Sequence, residues 1–272
     1  FNGEIISADS RQVYRNMNIG TGKDLSDYSI NGKHIPYHLI DVINPDEEFD
    51  VYKFQQLFYN AFDEITSRNK LPFLVGGTGM YLSSILQNYN LSKADFEKTQ
   101  QEYSSFSDEE LKNILKKSNP DLHNTTDLTN RNRILKAIAV SKAKQNQTDN
   151  VKFNSLNIGV YLSREEIKKR ITVRLKKRLD KEGMVDEVKS LMDSGISYDK
   201  LIFFGLEYKF IARYLKGELN KNDMFQKLNS AIHSFAKRQM TWFRKMEREG
   251  VLINWIDRPD FNKAKQLIEN SL

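Results

Sequence analysis

The sequence predicts an α/β fold, a parallel-sheet core with an inserted, mostly helical lobe. Three observations carry this reading. Short apolar runs alternate with segments of helical periodicity over the first ninety or so residues, and strands separated by helices form parallel sheets. Residues 91–152 turn rich in Lys, Asn, Ser and Gln and poor in strand formers. The remaining third is dominated by helical spacing. The predicted division is therefore a core of residues 1–90 plus 153–272 and a lobe of residues 91–152.

Each element has its own signal. Glu4-Ile5-Ile6-Ser7-Ala8-Asp9 reads as a short strand with a polar end, and His38-Leu39-Ile40-Asp41-Val42 as a second, bounded by the turn Asn44-Pro45-Asp46. Asp50 is a candidate N-cap for a helix whose stripe is Val51, Phe54, Phe58, Phe62 and Ile65. Leu71 to Val75 predicts a buried strand running into Gly76-Gly77-Thr78-Gly79 and a helix from about Met80. In the lobe, Ser107 and Glu110 form a capping-box pattern before Leu111, Ile114 and Leu115. A second lobe helix carries Arg131, Arg133 and Lys136 beside Ile134, Leu135 and Ile138, and the polar run Gln145 to Asn150 reads as an exposed connection. Alternating Ile158, Val160 and Leu162 predict a return strand in the core. Ile167, Ile171, Leu175 and Leu179 recur every four residues toward Gly183, a natural helix stop. A helix from Met184 to Asp193 ends at Gly195. The longest helix runs from about Asn222 to Glu249, with Phe225, Leu228, Ile232, Phe235, Trp242 and Met246 on its buried side.

Composition narrows the function classes. The chain has 272 residues, 39% hydrophobic and 29% charged, with 16 Phe and 12 Tyr, a globular balance with ample material for a core. It contains no cysteine, which excludes disulfides, thiolate metal sites and a cysteine nucleophile. No stretch has the length of a membrane span and Asp9, Arg11 and Arg15 interrupt any signal-like opening, so a cytoplasmic protein is expected. A formal charge of +6 and a pI near 9.2 favour a polyanionic partner.

Several residue groups are candidates for chemistry, each with a plainer structural role beside it. Gly20-Thr21-Gly22-Lys23 is not a phosphate-binding P-loop, since Met17 and Asp24 occupy the places of a Gly and a Ser or Thr; an ordinary turn is predicted. Asp9 stands at a strand end, where a parallel sheet exposes ligand sites, and suits a general base; its plainer role is to cap the following turn. Gly76-Gly77-Thr78-Gly79 lets backbone approach a ligand at a helix N-terminus, or simply makes a tight turn. His233, Lys237, Thr241, Arg244 and Arg248 share the polar side of the last long helix, as a phosphate-facing surface or a solvated face. The only closely spaced histidines, His34 and His38, do not predict a metal site, and no protein-held metal is expected.

Taken together and in order, these segments resemble the tRNA dimethylallyltransferases, also called tRNA isopentenyltransferases. The likeness runs through Ile5 to Arg15, Met17 to Thr21, Tyr37 to Val42, Leu74 to Tyr81, Arg131 to Ala137, Gly183 to Val188 and Ala236 to Arg244, covering nearly the whole chain except residues 88–127. The resemblance implies a P-loop nucleotide-kinase-like core whose loop holds dimethylallyl diphosphate. It implies transfer of the dimethylallyl group to N6 of the adenosine 3′-adjacent to the tRNA anticodon. By position, Asp9 matches the family's proton acceptor, and Ser10, Arg11 and Gln12 match contacts to the flipped-out base and its neighbours. Thr78 falls near the reacting groups, Gly76, Gly77, His233 and Arg238 near diphosphate, and Arg131, Asn132, Arg133, Ile134, Leu135 and Lys136 on the tRNA. The family's Gly-rich loop, with its Lys, Ser or Thr and Mg²⁺, is expected upstream of Phe1, so the chain beginning at Phe1 is expected to be inactive alone. It departs from the family at Gly205-Leu206-Glu207, where Gly-Tyr and a basic residue are frequent, and at His233, where an Arg is frequent and a histidine makes the contribution pH-dependent. The expected partners are a tRNA anticodon stem-loop and dimethylallyl diphosphate, with no membrane and a monomeric chain. The rival readings are an adenylate isopentenyltransferase acting on free nucleotide, a P-loop small-molecule or nucleotide kinase, and a non-catalytic RNA-binding module. A basic lobe argues against the first.

Overall fold

A computed structural model describes residues 1–118, 128–143 and 153–272. They form two compact units, Phe1–Gln87 with Phe153–Leu272, and Asn88–Lys152. The predicted connection Gln145 to Asn150 lies outside the described residues.

The first unit opens with strand β1 (Gly3–Ser7), whose alternate residues Glu4 and Ile6 are buried on one side. A two-residue pair of strands, β2 (Ser29–Ile30) and β3 (Lys33–His34), forms a small antiparallel ladder, and β4 (Tyr37–His38) follows. The predicted strand His38 to Val42 is thus corrected: pairing ends at His38 because Leu39 and Asp41 adopt left-handed φ values of 64° and 55°. That turn delivers the Asp41 carboxylate to the buried Lys23 ammonium at 2.5 Å, a tertiary ion pair to which apolar alternation is blind.

Helix α1 (Val51–Ser67) is capped as its sequence predicts, Asp50 accepting from the Lys53 N–H at 2.8 Å. Its Phe54, Phe58 and Ile65 are buried, and the Phe54 ring stacks on Tyr81 at 4.1 Å. Strand β5 (Leu71–Val75) leads into α2 (Gly79–Leu86). The sheet order is β4-β1-β5, all parallel, with Ile5 paired to Phe73 and Ser7 to Val75. The expectation that Leu71 to Val75 is buried does not hold: β5 is an outer strand of this sheet and Val75 is 53% exposed.

The second unit contains α3 (Phe96–Glu102), α4 (Asp108–Ser118) and α5 (Arg131–Ala143) around Leu111, Leu115, Ile134, Leu135 and Ile138. The capping box forms: Glu110 N–H donates to Ser107 Oγ at 3.3 Å and Ser107 N–H to Glu110 Oε2 at 2.8 Å.

Back in the first unit come β6 (Ile158–Tyr161), α6 (Arg164–Asp180), α7 (Met184–Asp193), α8 (Tyr198–Phe204) and α9 (Leu206–Leu215). The long α10 (Lys221–Arg248), then β7 (Asn254–Asp257) and α11 (Phe261–Glu269), complete it. The return strand pairs in parallel with β7 alone among the described residues, and its Val160 and Tyr161 are about half exposed rather than in the core. Gly183 does take the left-handed conformation, at φ 77°, but as the N-cap of α7 rather than the stop of α6. Phe235, predicted on the buried side of α10, is 38% exposed. Tyr14 and Met17, from the segment after β1, are embedded among Met184, Val188, Phe204, Tyr208 and Leu228 of these helices. This burial ties the C-terminal end of β1 to the helical layer.

Candidate active site

The polar end of β1 is a tight turn built on Asp9. Asp9 Oδ1 accepts the Arg11 N–H at 2.8 Å and the Gln12 N–H at 3.3 Å, so the capping role is real. These bonds engage one carboxylate oxygen and fix the other's direction. Burial raises the Asp9 carboxyl above its ordinary value, against the lowering by those two N–H groups and the Arg11 charge. A desolvated carboxylate at the C-terminal end of a parallel strand suits proton acceptance.

Thr78 joins it from the neighbouring strand. Its Oγ1 accepts the Ser10 N–H at 3.1 Å and lies 3.4 Å from Ser10 Oγ, while its own N–H donates to Ala8 O at 3.3 Å. The Thr78 side chain makes no cap on α2, although Thr78 occupies the N-cap position, so the hydroxyl is committed across the sheet. Gln12 reaches inward, its Oε1 accepting from Ser7 Oγ at 3.0 Å and its Nε2 donating to Gly22 O at 3.0 Å. Arg11, half-buried, donates from Nε to Phe204 O at 3.0 Å.

The glycine turn has an internal reason. A Cβ on Gly76 would lie 2.6 Å from the Ala8 carbonyl, and one on Gly79 2.4 Å from the Trp242 ring. Gln239 Nε2 donates to Gly77 O at 3.0 Å, fastening α10 to this turn. Close packing on β1 and α10 accounts for the absence of side chains at Gly76 and Gly79. The neighbouring Arg238 is exposed, with its guanidinium 5.8 Å from the Phe235 ring. His233 Nε2 is buried with no hydrogen-bond partner among the described residues, the kind of orphan that a bound polar group satisfies.

Sequence reasoning missed a ring of charge around the Gly22 turn. Arg178, 6% exposed, donates to Asp24 at 3.2 Å, and its guanidinium would meet a Cβ on Gly22 at 2.4 Å. Burial pushes Glu207 up to about 7, against the pull of its own backbone N–H and of the Arg178 and Arg174 charges. The i,i+4 pair Arg174 and Arg178 lies on a helix crowded with other Lys and Arg, so nothing in the sequence singles it out. Lys23, set aside as a P-loop lysine, is spent internally: its ammonium donates to Tyr14 O at 2.7 Å, Asn18 Oδ1 at 2.9 Å and Asp41. Among the described residues no three His, Cys, Asp or Glu side chains gather as metal ligands.

In the second unit, the six α5 residues separate by role. Ile134 and Leu135 are 0% and 1% exposed in the lobe core, so their side chains support the helix and do not reach an RNA, a correction to the expectation. Arg131 is bound to Asp108 at 3.0 Å and to the carbonyls of Phe106, Tyr103 and Ser104. Asn132, Arg133 and Lys136 are exposed.

A family described as IPP transferase matches residues 12–246. The chain belongs to this family. It is 52% identical over 261 residues to tRNA dimethylallyltransferase 1 of Geotalea uraniireducens, covering 94% of this chain and 84% of that one. It is 48% identical over 272 residues to tRNA dimethylallyltransferase 2 of Phocaeicola vulgatus, covering 97% and 88%. The crystal structure of the tRNA isopentenylpyrophosphate transferase of Bacillus halodurans is similar at 34% identity and a TM-score of 0.67, with 99% and 87% coverage. A eukaryotic dimethylallyltransferase acting on tRNA, at 23% identity and a TM-score of 0.75 over 100% and 71% of the two chains, shares the fold. As an IPP transferase the chain is a prenyltransferase, and within it the Asp9, Ser10 and Thr78 cluster lies at the end of the sheet where such folds place ligands.

Proposed function

We propose that this enzyme transfers the dimethylallyl group of dimethylallyl diphosphate to N6 of the adenosine 3′-adjacent to the tRNA anticodon. The observation that carries the reading is the half-buried Asp9 carboxylate, held by two backbone N–H groups beside the Ser10 and Thr78 hydroxyls. The amine nitrogen attacks C1 of the allyl chain, the C1–O bond breaks, and diphosphate leaves with the bonding pair. The N6 proton passes to Asp9. Allylic carbon bears positive charge as the bond breaks, so stabilising the leaving group and excluding water are the main demands. Asp9, Ser10, Arg11, Gln12 and Thr78 hold the flipped base, and His233, Arg238 and the Gly76–Gly77 turn face diphosphate. The orphaned His233 Nε2 supports that assignment. Mg²⁺ bound with the diphosphate would neutralise its charge and so assist its departure. Asn132, Arg133 and Lys136 meet tRNA phosphates. A tRNA substrate makes the work cytoplasmic, and no helix among the described residues is long and apolar enough to cross a membrane.

The test gives the full-length protein dimethylallyl diphosphate with an anticodon stem-loop, with free AMP, or with ATP and no RNA. One prenyl mass added to the stem-loop, at the adenosine after the anticodon, is the expected result. Prenylation of AMP alone overturns the choice of acceptor, and ATP consumption without prenyl transfer overturns the reaction.

A further inference from the structure

The corner between α8 and α9 is rigid and presents one aromatic ring to solvent. Gly205 takes φ 75° and ψ −170°, a region essentially reserved for glycine, and Leu206 follows at φ 37°. Phe204 is 3% exposed and packs edge-on against Tyr14 at 4.8 Å. The adjacent Phe203 is 57% exposed, its ring 6.0 Å from that of Phe204. Burial of one and exposure of the other fix the Phe203 ring on a firm base.

Two cations attend this ring. The Arg11 guanidinium lies 5.6 Å from its centroid and the Lys200 ammonium 5.5 Å. Both are anchored from behind: Arg11 donates to Phe204 O, and Lys200 to Glu47 O at 2.8 Å and Asp46 O at 3.1 Å. Among the described residues no cation lies over the other exposed aromatic side chains Phe1, Phe106, Tyr161 and Phe261, and Phe235 has one. Arg11 is also two residues from Asp9, whose carboxylate its N–H binds. Among the described residues Phe203 is the exposed ring with two cations close to it, and one of them, Arg11, belongs to the turn that the proposed base closes.

An exposed aromatic face bordered by cations matches what unpaired nucleotides require, a surface for stacking and positive charge for the phosphate. We propose that Phe203, with Arg11 and Lys200 close to its ring, is a stacking platform for an unpaired base of the RNA next to the adenosine being modified. The inference rests on the proposed tRNA substrate. Stacking on a fixed ring holds the flanking nucleotide while the target is turned out toward Asp9, so Phe203 acts in RNA positioning and not in the chemical step. The ring is sequence-tolerant, because every base has a π face; the loop's openness, rather than its letters, is what it selects.

The experiment compares full-length wild type, Phe203→Ala and Phe203→Trp. Affinities for an anticodon stem-loop are measured by anisotropy without prenyl donor, and transfer is followed in single turnover. Phe203→Ala is expected to weaken stem-loop binding and raise its KM about 5- to 150-fold, the range for loss of one base–aromatic stack. The rate at saturating RNA should stay within about two-fold, and the KM for dimethylallyl diphosphate should not move. Phe203→Trp is expected to retain affinity, and its added indole emission to be quenched by the stem-loop but not by an RNA duplex without a loop. Unchanged stem-loop affinity in Phe203→Ala overturns the platform, as does a defect confined to dimethylallyl diphosphate, which would make the ring a prenyl contact. Because binding is read without turnover, a wild type that binds the stem-loop yet never prenylates it counts against the proposed reaction, while the affinities still decide the platform.

Discussion

Asp9 shows how one carboxylate serves structure and chemistry together. Its Oδ1 closes the turn that shapes the site, so replacing the side chain by Ala removes both a cap and a proton acceptor. Asp9→Asn keeps an oxygen for the two N–H groups and separates the roles. Transfer by Asp9→Asn should fall about 10²- to 10⁴-fold, the usual weight of a general base, with stem-loop affinity within a few-fold. Near-normal single-turnover transfer by this variant would remove Asp9 from the mechanism. The pH dependence has a definite sign. The base works deprotonated, and burial raises its pKa, so transfer should be lost on the acid side at a pH above the ordinary carboxylate range, and Asp9→Asn should lack that limb. Strand-end Asp9 and Thr78 were legible from residue type and position. Glu207 and Arg178 were not, because their importance comes from folding α6 and α9 beside the Gly22 turn.

Helix α5 illustrates how a single basic stretch divides its labour. Read as sequence, Arg131 to Lys136 is one patch; folded, it holds a structural arginine, two core residues and an exposed polar side. Charge reversal at Arg133 and Lys136 should weaken stem-loop binding and reduce the slope of log K against log salt by roughly one per lost phosphate contact. An unchanged slope in a salt titration returns those residues to solvated charge. Arg131→Ala should leave that slope nearly intact and instead loosen the lobe, since its guanidinium binds Asp108 and three carbonyls. The caps of α1 and α4 were readable, as Asp50 and the Ser107–Glu110 pair act within one turn of chain. The end of β4 was not: Leu39 and Asp41 turn the backbone to meet Lys23, a partner distant in sequence.

Across the whole molecule, alternation of strands and helices sufficed to predict a parallel sheet, while burial was misjudged for Val75 and Val160. Apolar composition marks a strand; whether it is covered depends on its neighbours in the sheet. The same limit hid Glu4. This acid is 1% exposed inside β1, where Arg68 and Lys70 reach it at 2.7 Å and His38 at 2.8 Å. Burial opposes its charge, yet those partners prevail and hold the carboxyl down at about 2. A depressed folded-state pKa contributes stability above the unfolded value that is lost as pH falls toward 2. Glu4→Gln should therefore be less stable than wild type at neutral pH, and urea melts of the two should converge on acidification. A constant gap across that window would show that the charge network contributes nothing.

Lys23 has a further practical meaning. Its amine is at the centre of a closed nest, 2% exposed and bonded to Tyr14, Asn18 and Asp41. An acylating reagent needs an accessible, neutral amine, and solvent-facing lysines across the surface offer it readily. Peptide mapping after brief treatment with such a reagent should find Lys23 unmodified while the others are tagged, until the segment opens. The lysine that imitates a nucleotide-binding loop thus becomes a built-in clock for the loosening of the segment that follows Asp9.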